Sequence, residues 1–229
     1  MKRFYKNAAV SEAGSGFEIR LDDRPVKTPA RQPLVVPGAR LADAIAAEWN
    51  AQGEKVDPRS MPFTGLSNAA IDRVGEDPAA FARSLALFGE SDLLCYRADK
   101  PESLIERQAE QWDPLLVWAR RRYDVELEVV SGVIHRPQPP GTVERLGRAV
   151  TARTPFQLAA LAPLVTISGS LIIALALAEG AIDLDTAWSA ASLDETWQLE
   201  QWGADAEAEA VLEARRQEFA AGYEFLQLL

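Results

Sequence analysis

The amino-acid sequence predicts an α+β fold: a small N-terminal β-sheet domain with covering helices, followed by an all-helical C-terminal part. Three observations carry this. Period-two alternation of apolar and polar residues is confined to residues 3–36. Apolar residues recur at helical spacing from residue 40 onward, and the stretch 154–178 carries no charge at all, the composition of a helix buried on every side.

Within the β region, Phe17, Ile19 and Leu21 alternate with Glu18 and Arg20, as in a strand with one buried face. Gly14-Ser15-Gly16 and Asp22-Asp23 supply turns on either side. Val26 and Leu34-Val35-Val36 add short strands separated by Pro29 and Pro33, so a meander of about four strands is expected. Its apolar face needs a cover. Leu41, Ala44, Ile45 and Trp49 fall on one face of a helix from Arg40 to Gln52, and a second helix is expected over 61–75.

Asp77-Pro78 is a good cap and first-turn pair for the next helix. A longer helix begins near Glu102, with Leu104, Ile105, Gln108, Trp112, Leu115, Leu116 and Ala119 as its inner stripe and Asp113-Pro114 as a place to kink or restart. Arg120, Arg121 and Arg122 complement the dipole at its C-terminal end. One short strand is expected within 126–134, then a proline-rich loop from Arg136 to Gly141. These readings divide the chain into an N-terminal α+β domain, 1–95, and a C-terminal helical domain, 96–229. The uncharged stretch is long enough to span a membrane. Pro163 and Ser168-Gly169-Ser170 interrupt it and no basic flank accompanies it, so a buried helix is expected and no stable membrane insertion. From Asp183 two amphipathic helices follow, broken at Trp202-Gly203. In the second, Ala208, Val211, Leu212, Phe219, Leu226 and Leu229 share one side, while Asp205, Glu207, Glu209, Glu213 and Glu224 lie off it.

The chain has 229 residues with 24 basic and 34 acidic side chains, a net charge of −10. Residues 1–178 are balanced; 179–229 hold 12 carboxylates against Arg215 and Arg216 alone, so the whole net charge sits in the last helices. Such a surface disfavours nucleic acid and anionic membrane and suits a basic protein partner. The basic N-terminus is not followed by an apolar segment, so no secretory signal is expected and the location is read as cytoplasmic.

Residues that commonly do chemistry are scarce. A single cysteine, Cys95, excludes an intramolecular disulfide and a cysteine-based metal cluster; a single histidine, His135, lies in the proline-rich loop with no nucleophile elbow nearby. Cys95 sits between Leu94 and Tyr96, as a buried, inert thiol would. No phosphate-binding glycine motif occurs, and no cofactor or metal is expected. Of six tryptophans, Trp112, Trp118, Trp188 and Trp197 sit within helical patterns as core residues, whereas Trp49 and Trp202 have polar neighbours and suit interface anchoring, with core packing the first reading for each taken alone. The residues thus describe a non-enzymatic protein whose acidic helical end meets a partner. An enzyme with a small-molecule pocket in the helical part, or a membrane-associated factor anchored by 154–178, are the alternatives.

Several segments carry a family resemblance: Arg3-Phe4-Tyr5-Lys6, Gly16-Phe17-Glu18-Ile19, Leu21 to Pro29, Ala47 to Gln52, Leu94-Cys95-Tyr96-Arg97, Gln111-Trp112-Asp113-Pro114, Ser168-Gly169-Ser170 and Gln201-Trp202-Gly203. In that order, nearly end to end, the chain resembles the assembly chaperones for the catalytic head of F-type ATP synthase, in particular the member that binds the alpha subunit. The resemblance implies an orthogonal helical bundle after the β-containing domain. It also implies an activity: holding unassembled alpha subunit until the beta subunit replaces the chaperone, in the bacterial cytoplasm or, for eukaryotic relatives, the mitochondrial matrix. By motif position it assigns partner contact to Asp194, Glu195, Glu200, Trp202 and Asp205. Glu48, Trp49, Trp112 and Asp113 are assigned to structure.

Overall fold

The computed structural model describes residues 2–132, 136–203 and 206–229; His135 and Asp205 lie outside the described residues. The chain packs into two compact units. One is Met1–Pro78 with Thr154–Ala160 and Glu224–Leu229; the other is Ala79–Arg153 with Leu161–Tyr223.

The first unit is built on the hairpin of β1 (Ala8–Ala13) and β2 (Gly16–Leu21), paired antiparallel from Ala8↔Leu21 to Ala13↔Gly16. Gly14 opens the two-residue turn with a φ of +61°, the left-handed conformation that such a hairpin turn requires at its first position. The expected meander is only partly realised. Both β3 (Arg24–Pro25) and β4 (Val35–Val36) pair with β2, along the edge that β1 leaves open. The buried side chains Ile19, Leu21, Leu34 and Val36 meet Leu41, Ala42 and Ile45 of the covering helix α1 (Ala39–Asn50). At the end of α1, Glu48 accepts hydrogen bonds from the Phe63 and Thr64 backbone N–H groups (2.6 and 2.8 Å) and the Thr64 hydroxyl (2.7 Å). It thereby caps α2 (Pro62–Ala69), which continues into a wider turn over Ala70–Val74. Phe156 and Phe225 stack in parallel within this unit, and Phe63 lies against Phe225.

The second unit is helical: α3 (Pro78–Ala86), α4 (Glu102–Tyr123), α5 (Pro140–Thr151), α6 (Pro155–Ser168), α7 (Leu171–Ala178), α8 (Leu184–Ala191), α9 (Leu193–Trp202) and α10 (Ala206–Leu228). The ends of α3, α6 and α10 that fall in the first unit are set by the ranges above. A short parallel pair joins β5 (Tyr96–Arg97) to β6 (Val130–Ser131), which places the expected strand of 126–134. Helix α4 runs unbroken through Pro114. Pro114 lies on the exposed face, where water serves the carbonyl that the proline cannot reach. Among the described residues after Asp183 there are three helices rather than two, because Ser192 separates α8 from α9.

The uncharged stretch divides at Ser168-Gly169-Ser170 into α6 and α7, and no described helix is long and apolar enough to cross a membrane. Gly169 has φ +67°, which ends α6, and the Ser170 hydroxyl oxygen caps α7 by accepting from the Ile173 N–H. The same hydroxyl donates to Asp92 at 2.7 Å. Asp92 is fully buried and also accepts from the Leu94 and Ile172 N–H groups, at 3.1 and 3.0 Å. Burial pushes its carboxyl up from 3.8 to about 6 against the lowering effect of these donors. Cys95 beside it is buried as expected, and burial, with the Asp92 charge adding to it, pushes the thiol up to about 12.

Two outcomes follow for Asp92. In Asp92→Asn one oxygen must serve all the donors while an amide NH2 faces a backbone N–H, a loss of about 2–4 kcal/mol in urea unfolding. The folded state also binds this proton more tightly than the unfolded chain. The resulting stabilisation is complete below the unfolded value of 3.8 and is lost as the pH rises through about 6. The stability gap between wild type and Asp92→Asn should therefore narrow between about pH 4 and about pH 6, read from urea midpoints across that range.

Candidate functional site

The residues singled out for partner contact lie on two sides of α9. Glu195, Gln198, Leu199 and Trp202 follow i, i+3, i+4, i+7 spacing and form one face. They line one wall of a groove whose other wall is Glu207, Ala208, Val211, Leu212 and Arg215 of α10. The groove encloses about 490 Å³. Trp202 is 79% exposed and Val211 56% exposed at its rim, with Leu199 and Leu212 half-buried below. Glu195 accepts from the Arg215 guanidinium at 3.0 Å, and that guanidinium also donates to the Ile167 carbonyl at 2.9 Å. Arg215 thus ties α10 to α9 and α6 at one end of the groove.

Asp194 and Glu200 point elsewhere. Asp194 accepts from the Gln108 side chain of α4 at 2.8 Å; burial, reinforced by the neighbouring Glu195 charge, holds its carboxyl above the usual range despite that bond. Glu200 receives both terminal nitrogens of Arg107 at 2.5 and 3.0 Å, which holds its carboxyl below its ordinary value. The structure therefore brings Glu195 and Trp202 together and sets Asp194 and Glu200 against α4. The fifth position, Asp205, lies outside the described residues.

The residues assigned to structure sit in two clusters, one in each unit. Trp112 is fully buried, and its indole N–H donates to the Ala190 carbonyl at 2.9 Å. Arg97 lies over the Trp112 ring and pairs with Asp113 at 2.8 Å, so two separate sequence motifs meet in one contact. In the first unit, Glu48 caps α2, and the Trp49 carbonyl accepts from the Tyr5 hydroxyl at 2.6 Å while Arg3 lies over the Tyr5 ring. Trp118, Trp188 and Trp197 are only half-buried, unlike the core positions expected for them. Trp118 meets Tyr123 edge-on, and Trp188 meets Phe219.

Sequence patterning left several features undecided. Ala208, Val211 and Leu212 share one side of α10 as expected and line the groove, and only Phe219 of that stripe is fully buried. Arg107 and Arg215 carried no signal, because a basic residue on a helix reads as solvent-facing until its partner is known. Asp92 was missed too, since one acidic residue in a short loop shows nothing of its burial. Among the described residues, no group of three or more His, Cys, Asp or Glu is placed to hold a metal ion.

Comparison with known proteins gives the class of the protein as chaperone. Residues 2–120 match the family described as ATP12 chaperone protein. The mitochondrial atp12 protein of Schizosaccharomyces pombe is 28% identical over 214 residues, covering 88% of this chain and 74% of that one. The crystal structure of Atp12 from Paracoccus denitrificans superposes with a TM-score of 0.94 at 42% identity, covering 99% of this chain and 97% of that one. The Atu1473 protein of Agrobacterium tumefaciens gives the same TM-score at 43% identity, covering 99% and 85%. The chain belongs to the ATP12 chaperone family, which serves the assembly of ATP synthase.

Arg215→Ala removes the cation shared by Glu195 and the Ile167 carbonyl. Both partners are partly solvated, so the expected loss is about 1 kcal/mol, seen as a small fall in melting temperature with an unchanged circular dichroism spectrum.

Proposed function

We propose that this protein binds the unassembled alpha subunit of ATP synthase and keeps its apolar assembly surface from aggregating until the beta subunit takes its place. Binding and release need no nucleotide or metal chemistry on the chaperone's side; the protein is an assembly factor rather than an enzyme. It would act where the catalytic head is put together, the bacterial cytoplasm or, in eukaryotic relatives, the mitochondrial matrix. The observation that carries the reading is the exposed Trp202 beside Glu195 in a chain of this family. Trp202 and Val211 are exposed over Leu199 and Leu212 in one contiguous apolar groove, the kind of patch at which a partner docks. Glu195 and Glu207 line the same groove, and the net negative charge of the last helices orients a basic partner.

Purification from the native organism with the chaperone as bait should recover alpha subunit without beta subunit, and the purified chaperone should suppress alpha-subunit aggregation in light scattering. Failure of both would refute the reading. Charge reversal in Glu195→Lys should weaken alpha-subunit binding about tenfold or more while leaving circular dichroism unchanged, because the residue is partly exposed and its ion pair with Arg215 contributes at most about 1 kcal/mol.

A further inference from the structure

The outer face of α4, opposite its buried residues Gln108, Trp112, Leu116 and Ala119, carries a second surface. Pro114, Val117, Trp118, Arg121 and Arg122 recur at i, i+3, i+4, i+7 and i+8, so two turns of one helix line a single hollow of about 400 Å³. One end of it is apolar and open to water: Val117 is exposed, and Trp118 is only half-buried, edge-on to Tyr123. The other end is cationic. Arg121 is exposed and pairs with no carboxylate among the described residues. Arg122 gives its Nε–H to Glu179 at 2.6 Å, and its terminal nitrogens have no acceptor among the described residues. Glu179 also serves Arg153, at 3.6 Å. Asp113 and Asp124 beside the stripe are held by Arg97 and Arg145. Arg121, Arg122 and Arg153 thus share one carboxylate, and the hollow keeps a positive charge. Complementing the helix dipole accounts for cations at this end of α4, but not for the apolar hollow that they border.

We propose that this hollow receives a short acidic segment of the client chain. A large apolar side chain of the segment rests on Pro114, Val117 and Trp118, and an Asp or Glu beside it takes the Arg121 guanidinium and the terminal nitrogens of Arg122. A guanidinium binds a carboxylate through two parallel N–H groups, and those of Arg121 are not engaged elsewhere. This rests on the reading of the protein as an alpha-subunit chaperone and adds the chemistry of one part of the client that is held. Charge complementarity selects the occupant. At physiological salt, exposed charges act over about 8 Å, so a short segment meets the local arginines rather than the total charge of the chain. A second copy, a nucleic acid or an anionic membrane brings extended negative charge against the net −10 of the whole molecule. The face is also small, about 12 Å long and about 10 Å wide from helix geometry. A stable dimer buries roughly 800 Å² on each partner, whereas a few extended residues fit this stripe.

The test uses the full-length protein with Arg121→Glu and Val117→Ser, and with Arg83→Glu on α3 as the control for net charge. All three positions are exposed, so circular dichroism and melting temperature should match the wild type. Overlapping peptides spanning the alpha subunit of the same organism are titrated by fluorescence anisotropy, and capture of intact alpha subunit is measured in parallel. Peptides with Asp or Glu beside a large apolar residue should bind, and more weakly as salt rises. Arg121→Glu should weaken them about tenfold or more and Val117→Ser about threefold, with no change in Arg83→Glu. The proposal is overturned if no such peptide binds, or if Arg121→Glu or Val117→Ser leaves the affinity unchanged. It is overturned too if Arg83→Glu weakens binding as much as Arg121→Glu, because total charge is then the cause. A dimer in sedimentation that Arg121→Glu dissociates, or binding to phosphatidylglycerol vesicles that it abolishes, also overturns it, the occupant then being a second copy or a membrane. The two readings fail in distinguishable ways. Wild-type protein that captures no alpha subunit removes the chaperone reading and this inference with it. Capture of intact alpha subunit with no peptide that depends on Arg121 removes only the α4 hollow.

Discussion

Asp92 brings a carboxylate into the interior of the helical unit, and much of that unit's geometry follows from making it tolerable there. A buried carboxylate must be met by donors, and here they are the Ser170 hydroxyl and the Leu94 and Ile172 backbone N–H groups. Two of these donors come from the start of α7, nearly eighty positions away in the chain. For Ser170 to cap α7 and reach Asp92 together, the chain must turn sharply just before it, and Gly169 makes that turn in the left-handed region. The uncharged stretch is consequently two short helices. Helix α7, buried almost throughout, becomes the element on which α4 and α8 pack. Helix α9 packs in turn on α4, so the site stands on a chain of contacts that begins at one buried side chain.

Helix α9 then divides its charges by phase. The side facing α4 uses Asp194 and Glu200 to hold Gln108 and Arg107, which fixes the helix in place. The opposite side carries Glu195 and Trp202 into the groove with α10. Carboxylates adjacent in sequence, Asp194 and Glu195, thus lie on different sides of the helix: one holds Gln108 of α4 and the other lines the groove. The exposure of Trp202 and Val211 makes sense in this frame. The α9 face opposite α4 and the first turns of α10 bring their apolar side chains together without closing over them.

Much of this was legible in the chain itself. Alternation at Phe17, Ile19 and Leu21 marks β2, and the helical spacing of Leu41 and Ile45 marks its cover. Ser168-Gly169-Ser170 announces an interruption, and counting charge by segment places the acidic end. Three elements were left open by local pattern for identifiable reasons. Pro114 breaks no helix because it faces solvent. The strand β4 returns to β2 because that strand has a free edge. Val211 joins a stripe by phase alone, yet phase does not say whether the stripe meets core or solvent. Segments 154–160 and 224–229 belong to the compact unit of the first 78 residues, a pairing that no local pattern can report.

The sequence by itself determined which face of each element is apolar, where chains turn, and that the negative charge gathers in the final helices. These are local properties, set by side-chain type and by the periods of helix and strand. Only the tertiary structure decided that Asp92 is buried, that Arg97 joins Trp112 to Asp113, that Asp194 and Glu195 part company, and that a stripe on α10 is left open as a groove. Each of those depends on which distant surface meets a given face. That choice is made by packing and hydrogen-bond satisfaction over the whole unit, and periodicity along one segment carries no record of it.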